Sequence, residues 1–134
     1  IEDRRERGSI EKIVAITLGG ALGALGRVYG SQWIGQRLLG SVPYGTLVVN
    51  LLGAFMIGLL LGLFASHPQW PAWLRYLLVA GGLGAFTTFS TYVFEIVDMI
   101  LQGSYGLALL YGFGQVLAGL LVCALGLFLA RMGA

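Results

Sequence analysis

Residues 81–91 read GGLGAFTTFST and lie inside an apolar segment bounded by Arg75 and Glu95. Gly81, Gly82 and Gly84 loosen a helix, because glycine gives up the most backbone freedom when it becomes helical. Thr87, Thr88, Ser90 and Thr91 bring four hydroxyls into the same place. Polar groups at membrane depth have to be paired or face a cavity. The stretch therefore predicts a break in a membrane span near residues 82–88, with carbonyl oxygens freed at the end of a half-helix and able to coordinate a cation. A flexible kink filled by threonine hydroxyls fits the same spacing.

The surroundings decide that this is a span. The chain is 57% hydrophobic and only 10% charged over 134 residues, whereas soluble domains carry about 25% charged residues. Most of the charge lies in residues 2–12, followed by Arg27, Arg37, Arg75, Glu95, Asp98 and Arg131 with long uncharged intervals between them. Four segments have the roughly 20 apolar residues that a spanning helix needs: 13–34, 42–65, 74–99 and 105–129. The loop SHPQWPAW (66–73) has the tryptophans of a membrane interface. Residues 1–11 form a polar N-terminal extension and residues 12–131 a four-helix transmembrane domain. The charged start leads into a span without the cleavage pattern of a secretory leader.

The net charge of +2 is too small and scattered for a nucleic-acid footprint. Cys123 has no second cysteine to pair with and reads as a small core hydrophobe. No nucleotide motif, catalytic triad or metal-ligand cluster is present, so the chain does not read as an enzyme. His67, the one histidine, lies in the interfacial loop.

Lys and Arg near the span ends place the N-terminus, the 66–74 loop and the C-terminus on the more basic side, with Arg37 and nearby Arg27 on the other. That favours the N-terminus inside. Arg4, Arg5 and Arg7 sit among acids, however, and without them the bias is slight and the chain can insert either way. Four spans make a thin bundle with little interior, so a dimer is expected. Asn50, Ala54, Gly58 and Gly62 form one stripe of the second span, and Gly19, Gly23, Gly26 and Gly30 nearly one of the first. Small residues so spaced let helices approach closely in lipid.

Several side chains point to an anion. Phe89, Tyr92 and Glu95 follow one another at intervals of three on one helix face. Aromatic edges carry positive potential, so two rings turned edge-on favour an anion without a formal charge; plain core packing is the competing reading. Asn50, the sole asparagine, offers two amide donors deep in an apolar span, either to join helices by hydrogen bonding or to line a path for an anion. Tyr111 and Gln115, four apart in the last span, add a phenol and an amide.

GTLVVN (45–50) paired with GAFTTFSTYVFE (84–95), together with GRVYG (26–30), resembles the Fluc, or CrcB-type, family of fluoride channels over about residues 12–131. The resemblance implies an all-α integral membrane protein of the prokaryotic plasma or inner membrane. It would have four spans per subunit, a broken third helix and an antiparallel dual-topology dimer, expected here as a homodimer. It implies passive export of fluoride, which relieves fluoride toxicity. Asn50 matches the pore asparagine, Phe89 the first pore phenylalanine and Tyr111 a pore-side tyrosine, with Thr88, Ser90 and Thr91 in the polar part of the third span. Gly84 and Thr87 match positions whose backbone carbonyls hold a structural Na+ at the dimer interface. Arg27 matches a first-span arginine, at a vestibule or anchoring helices, and Glu95 a third-span glutamate. Tyr92 departs from a common second phenylalanine, Gln115 from a small or other polar residue, and Gly119 from a serine. The competing function is a small multidrug-type proton-coupled exporter, which needs a deep acid; Glu95 is the sole candidate, and the first span has none. A structural membrane subunit without transport is a third.

Overall fold

The computed structural model describes residues 2–133. Helix α1 runs Glu2–Arg37, α2 Tyr44–Ser66 and the short α3 Ala72–Arg75; a π-helical segment, Tyr76–Leu83, continues into α4, Gly84–Phe86. Helix α5 covers Phe89–Leu101 and α6 Tyr105–Met132. Four helical stretches, residues 3–37, 44–66, 72–101 and 105–132, are long and apolar enough to cross a membrane. The chain is thus an all-helical multi-pass membrane protein. Large apolar side chains such as Leu110, Leu117 and Leu121 stand outward, where lipid is their solvent.

Helix α1 begins well before the apolar run. Its 36 residues span about 54 Å at 1.5 Å per residue, against roughly 30 Å of hydrocarbon. The excess carries the charged residues at 3–12, held helical by the Arg7–Asp3 pair one turn apart at 2.8 Å. Lys12 sits 4.9 Å over the Tyr76 ring and links this end of α1 to the third span.

Two seams hold the bundle. Along α2–α6, a Cβ on Gly58 would collide with the carbonyl of Cys123, and one on Gly126 with that of Phe55. Along α1 and the π-helical segment, Gly19 and Gly23 meet the carbonyls of Leu77 and Gly82 in the same way, whereas Gly30 faces open space. Close backbone approach gives dispersion contacts that substitute for a hydrophobic driving force lipid does not supply. The α5–α6 turn is closed by Gly103 at φ +77, with Gly103 N–H donating to Ile100 and Ser104 N–H to Met99.

The third span is irregular at residues 76–88. After α4, Thr87 (φ −85, ψ 157) and Thr88 (φ −142, ψ 115) have extended backbone, and α5 starts at Phe89. Buried Tyr92, Met99, Ala108 and Tyr111 pack α5 on α6 beyond that point.

Candidate functional site

The interruption at Thr87–Thr88 is organised by Asn50 from α2. Thr88 N–H donates to Asn50 Oδ1 at 2.8 Å, and Asn50 Nδ2 donates back to the Thr88 carbonyl at 2.9 Å. The amide thus takes the place of a neighbouring backbone. Asn50 Nδ2 also donates to Gln115 Oε1 on α6 at 2.7 Å, so one side chain joins three elements. Thr88 caps α5: its Oγ1 accepts Thr91 N–H at 3.3 Å and donates to Thr91 Oγ1 at 3.0 Å.

These bonds rob the end of the preceding half-helix of donors. A continuous helix would give Thr88 N–H to the Gly84 carbonyl and Thr91 N–H to the Thr87 carbonyl. The first goes to Asn50 and the second to the Thr88 hydroxyl. The Ala85 carbonyl instead accepts from Arg27 Nε at 3.0 Å, a charged cap that ties α1 to α4. Thr87 turns its own hydroxyl back to the Leu83 carbonyl at 3.1 Å.

Further along α5, Glu95 is held by two hydroxyls. Thr46 Oγ1 donates to Oε1 and Tyr111 OH to Oε2, both at 2.6 Å. Hydrogen bonds to both oxygens offset the removal of the carboxyl group from water. Thr46 has no place in the sequence reading. Its threonine-for-carboxylate pairing across 49 positions leaves no local signal. The Tyr92 hydroxyl donates to the Gly112 carbonyl, so the extra oxygen of this ring is engaged inside the bundle.

Between α2, the π-helical segment, α5 and α6 lies an open cleft of about 430 Å3, with Asn50, Thr87, Thr88, Tyr92 and Gln115 on its walls. Phe89 lines it too, but its ring stands 77% exposed. The Phe89 and Tyr92 centroids are 6.0 Å apart, and Tyr92 and Tyr111 5.6 Å, so three rings run in a row. Asn50, Thr88, Phe89, Tyr92, Tyr111 and Gln115 are therefore gathered in one place. Ser90 and Thr91 lie on the exposed side of α5. Glu95 and Thr91 line a second, more polar cavity of about 410 Å3 under the α1–α2 loop.

The family model for CrcB-like protein, Camphor Resistance (CrcB), matches residues 14–127. The chain is 44% identical over 121 residues to the fluoride-specific ion channel FluC of Bordetella pertussis, covering 89% of this chain and 91% of that protein. A protein of the same name from Magnetococcus marinus is 44% identical over 121 residues, covering 90% and 98%. Fluoride-specific ion channel FluC 2 of Moorella thermoacetica is 47% identical over 108 residues, covering 81% and 87%. The family model spans most of the chain and the relatives exceed 40% identity, and the chain belongs to the CrcB family.

Proposed function

We propose that the chain is a passive fluoride channel of the prokaryotic plasma membrane, working as an antiparallel homodimer with the interrupted third span at its centre. The relatives named fluoride-specific channels support the ion. The single observation that carries the reading is the Asn50 clamp on the extended Thr88, whose paired polar groups lie on the wall of a cleft between apolar helices.

Fluoride is small and strongly hydrated, so a path for it must replace water with fixed dipoles. The path runs past Asn50, Thr88, Ser90, Thr91, Tyr111 and Gln115 and the edges of Phe89 and Tyr92. Ring edges attract an anion without trapping it, and conduction needs such weak, repeated sites. Arg27 and Glu95 are structural in this reading: one caps a carbonyl, the other is held by two hydroxyls.

The homodimer accounts for the exposed Phe89 ring and the open wall of the cleft, since a second copy would cover both. It also accounts for the released carbonyls of Gly84 and Thr87. Two such pairs from opposed subunits make an oxygen donor set suited to Na+, a hard cation that takes carbonyl ligands. Bound there, Na+ supplies positive charge that pins the subunits and favours an anion nearby.

In acid surroundings HF crosses lipid as a neutral molecule and dissociates inside; a passive pore returns the trapped anion down its gradient. The test is fluoride release from liposomes containing the purified protein, followed with a fluoride electrode. Fast release without a proton gradient is expected. Sealed vesicles, or drug efflux driven only by protons, would overturn the reading.

A further inference from the structure

We infer that the end of the bundle where Lys12 approaches the start of the third span is a binding site for an anionic phospholipid of the phosphatidylglycerol class. Its phosphodiester lies against Arg75 and Lys12, and an acyl chain follows the groove below them. The inference goes beyond the ion path and rests on the membrane-spanning fold alone.

The place is the junction of α3 with the π-helical segment, where Arg75 is the last residue of one and Tyr76 the first of the other. A groove of about 420 Å3 opens there, lined by Ala72, Arg75, Tyr76, Val79 and Ala80. Apart from the guanidinium and the phenol, its walls are apolar. Lys12 of α1 holds its ammonium 4.9 Å over the Tyr76 ring, so this one side chain borders both cations. Lys12 and Arg75 are both exposed. Each stands where an apolar run begins, which is headgroup depth, and Trp70 and Trp73 mark the same interface.

Charge selects the headgroup. Among the described residues the one ion pair is Arg7–Asp3, so neither Lys12 nor Arg75 is neutralised within the chain. No acid occurs in residues 13–94. Glu11 is next to Lys12 in sequence, but neighbours on a helix point about 100° apart. Two cations without a carboxylate suit a net negative headgroup: the arginine fork takes two phosphate oxygens, and the lysine adds a point charge. A phosphatidylethanolamine ammonium would need an acceptor of its own. No acid lines the groove, and Lys12 already covers one face of the Tyr76 ring. Free phosphate would leave the apolar wall of Val79 and Ala80 bare, whereas an acyl chain fills it. A second copy is the rival occupant, since Val79 and Ala80 also line the cleft. The acids within its spans are already bonded, however, Glu95 to Thr46 and Tyr111 and Asp98 to Gln102.

The experiment uses the full chain carrying Trp33→Phe, which leaves Trp70 and Trp73 as fluorescent reporters at this end of the bundle. Trp73 lies in α3 between the groove residues Ala72 and Arg75 and is 44% exposed. The protein is placed in phosphatidylcholine vesicles doped with brominated phosphatidylglycerol or, at the same mole fraction, with brominated phosphatidylcholine or phosphatidylethanolamine. Bromine quenches the tryptophans on contact, so the quenching curves give relative affinities. Phosphatidylglycerol is expected to be preferred by at least about tenfold at low salt, and less strongly in high salt, which screens exposed charges. Arg75→Gln should cut that preference about fivefold, and the Lys12→Gln, Arg75→Gln double variant should abolish it. Arg37→Gln, the same loss of charge at the opposite end of the first span, should leave it intact. Equal quenching by the three lipids, an unchanged preference in the double variant, or the same loss in Arg37→Gln would each overturn the inference. So would a dimer that comes apart in Arg75→Gln with its lipid preference kept, which would give the groove to a second copy.

Discussion

The α2–α6 seam and the extended pair Thr87–Thr88 in the third span solve the same problem in opposite ways. At the seam, Gly58 and Gly126 bring two backbones into contact, each lying against a carbonyl of the facing helix. Every backbone group there stays in its own helical ladder. At the interruption the ladder is opened, and side chains from three other segments fill the gap: Asn50 on Thr88, Arg27 on Ala85, Gln115 on Asn50. Lipid supplies no hydrogen bonds, so an irregular backbone survives at that depth only when such groups pair it. The difference teaches where a membrane bundle can hold a polar ion. Tight seams give rigidity, and the cleft lies at the position that rigidity frees from packing.

The sharpest way to break this contrast is to charge the clamp. Asn50→Asp puts a carboxylate beside the anion path and removes two donated hydrogen bonds. A unit charge about 4 Å away opposes an anion by roughly 4 kcal/mol at an effective dielectric near 20, close to a thousandfold in occupancy. Fluoride efflux from liposomes should therefore fall to the background of empty vesicles. Efflux near the wild-type rate would mean that the path runs elsewhere.

Next in size is an attack on the seam alone. Gly58→Leu forces a side chain into the Cys123 carbonyl, and overpacking of this kind costs about 1–3 kcal/mol. Thermal unfolding in detergent should shift down clearly. The protein that survives should conduct at nearly the normal rate per folded molecule. An unshifted midpoint would show that the seam is looser than its glycines imply.

Phe89→Ile removes a ring edge and leaves a side chain of similar volume. Aromatic contacts contribute up to about 1.5 kcal/mol beyond burial, so flux should drop about tenfold with an unchanged unfolding midpoint. Equal loss of flux and stability would instead make Phe89 a packing residue.

The smallest effect is expected from Thr88→Ala, which deletes the cap of α5 and its bond to Thr91. Loss of an N-cap costs about 1 kcal/mol. The unfolding midpoint should fall slightly, and flux should change less than in Phe89→Ile.

Much of this was legible in the sequence. Apolar run length located the spans, and the extended backbone of Thr87 and Thr88 falls inside the GGLGAFTTFST stretch. What stayed hidden depended on contacts between distant positions. In the chain Asn50 and Thr88 read as donors without assigned partners, Tyr92 reads as a ring edge and Thr46 is not read at all, but three-dimensional packing commits each to a specific acceptor. Residues 2–12 read as a polar tail because charge dominates them, while the Asp3–Arg7 spacing that favours a helix is a weak signal beside it. The π-helical geometry of residues 76–83 has no counterpart in the order of its apolar residues.

The most direct test of a passive anion path through the clamped break is electrical. Purified protein in a planar bilayer, with unequal fluoride on the two sides and impermeant counter-ions, should carry a current that reverses at the fluoride equilibrium potential. Adding a proton gradient should leave that reversal potential where it was. The absence of current, or a reversal potential that follows the proton gradient, would contradict the account.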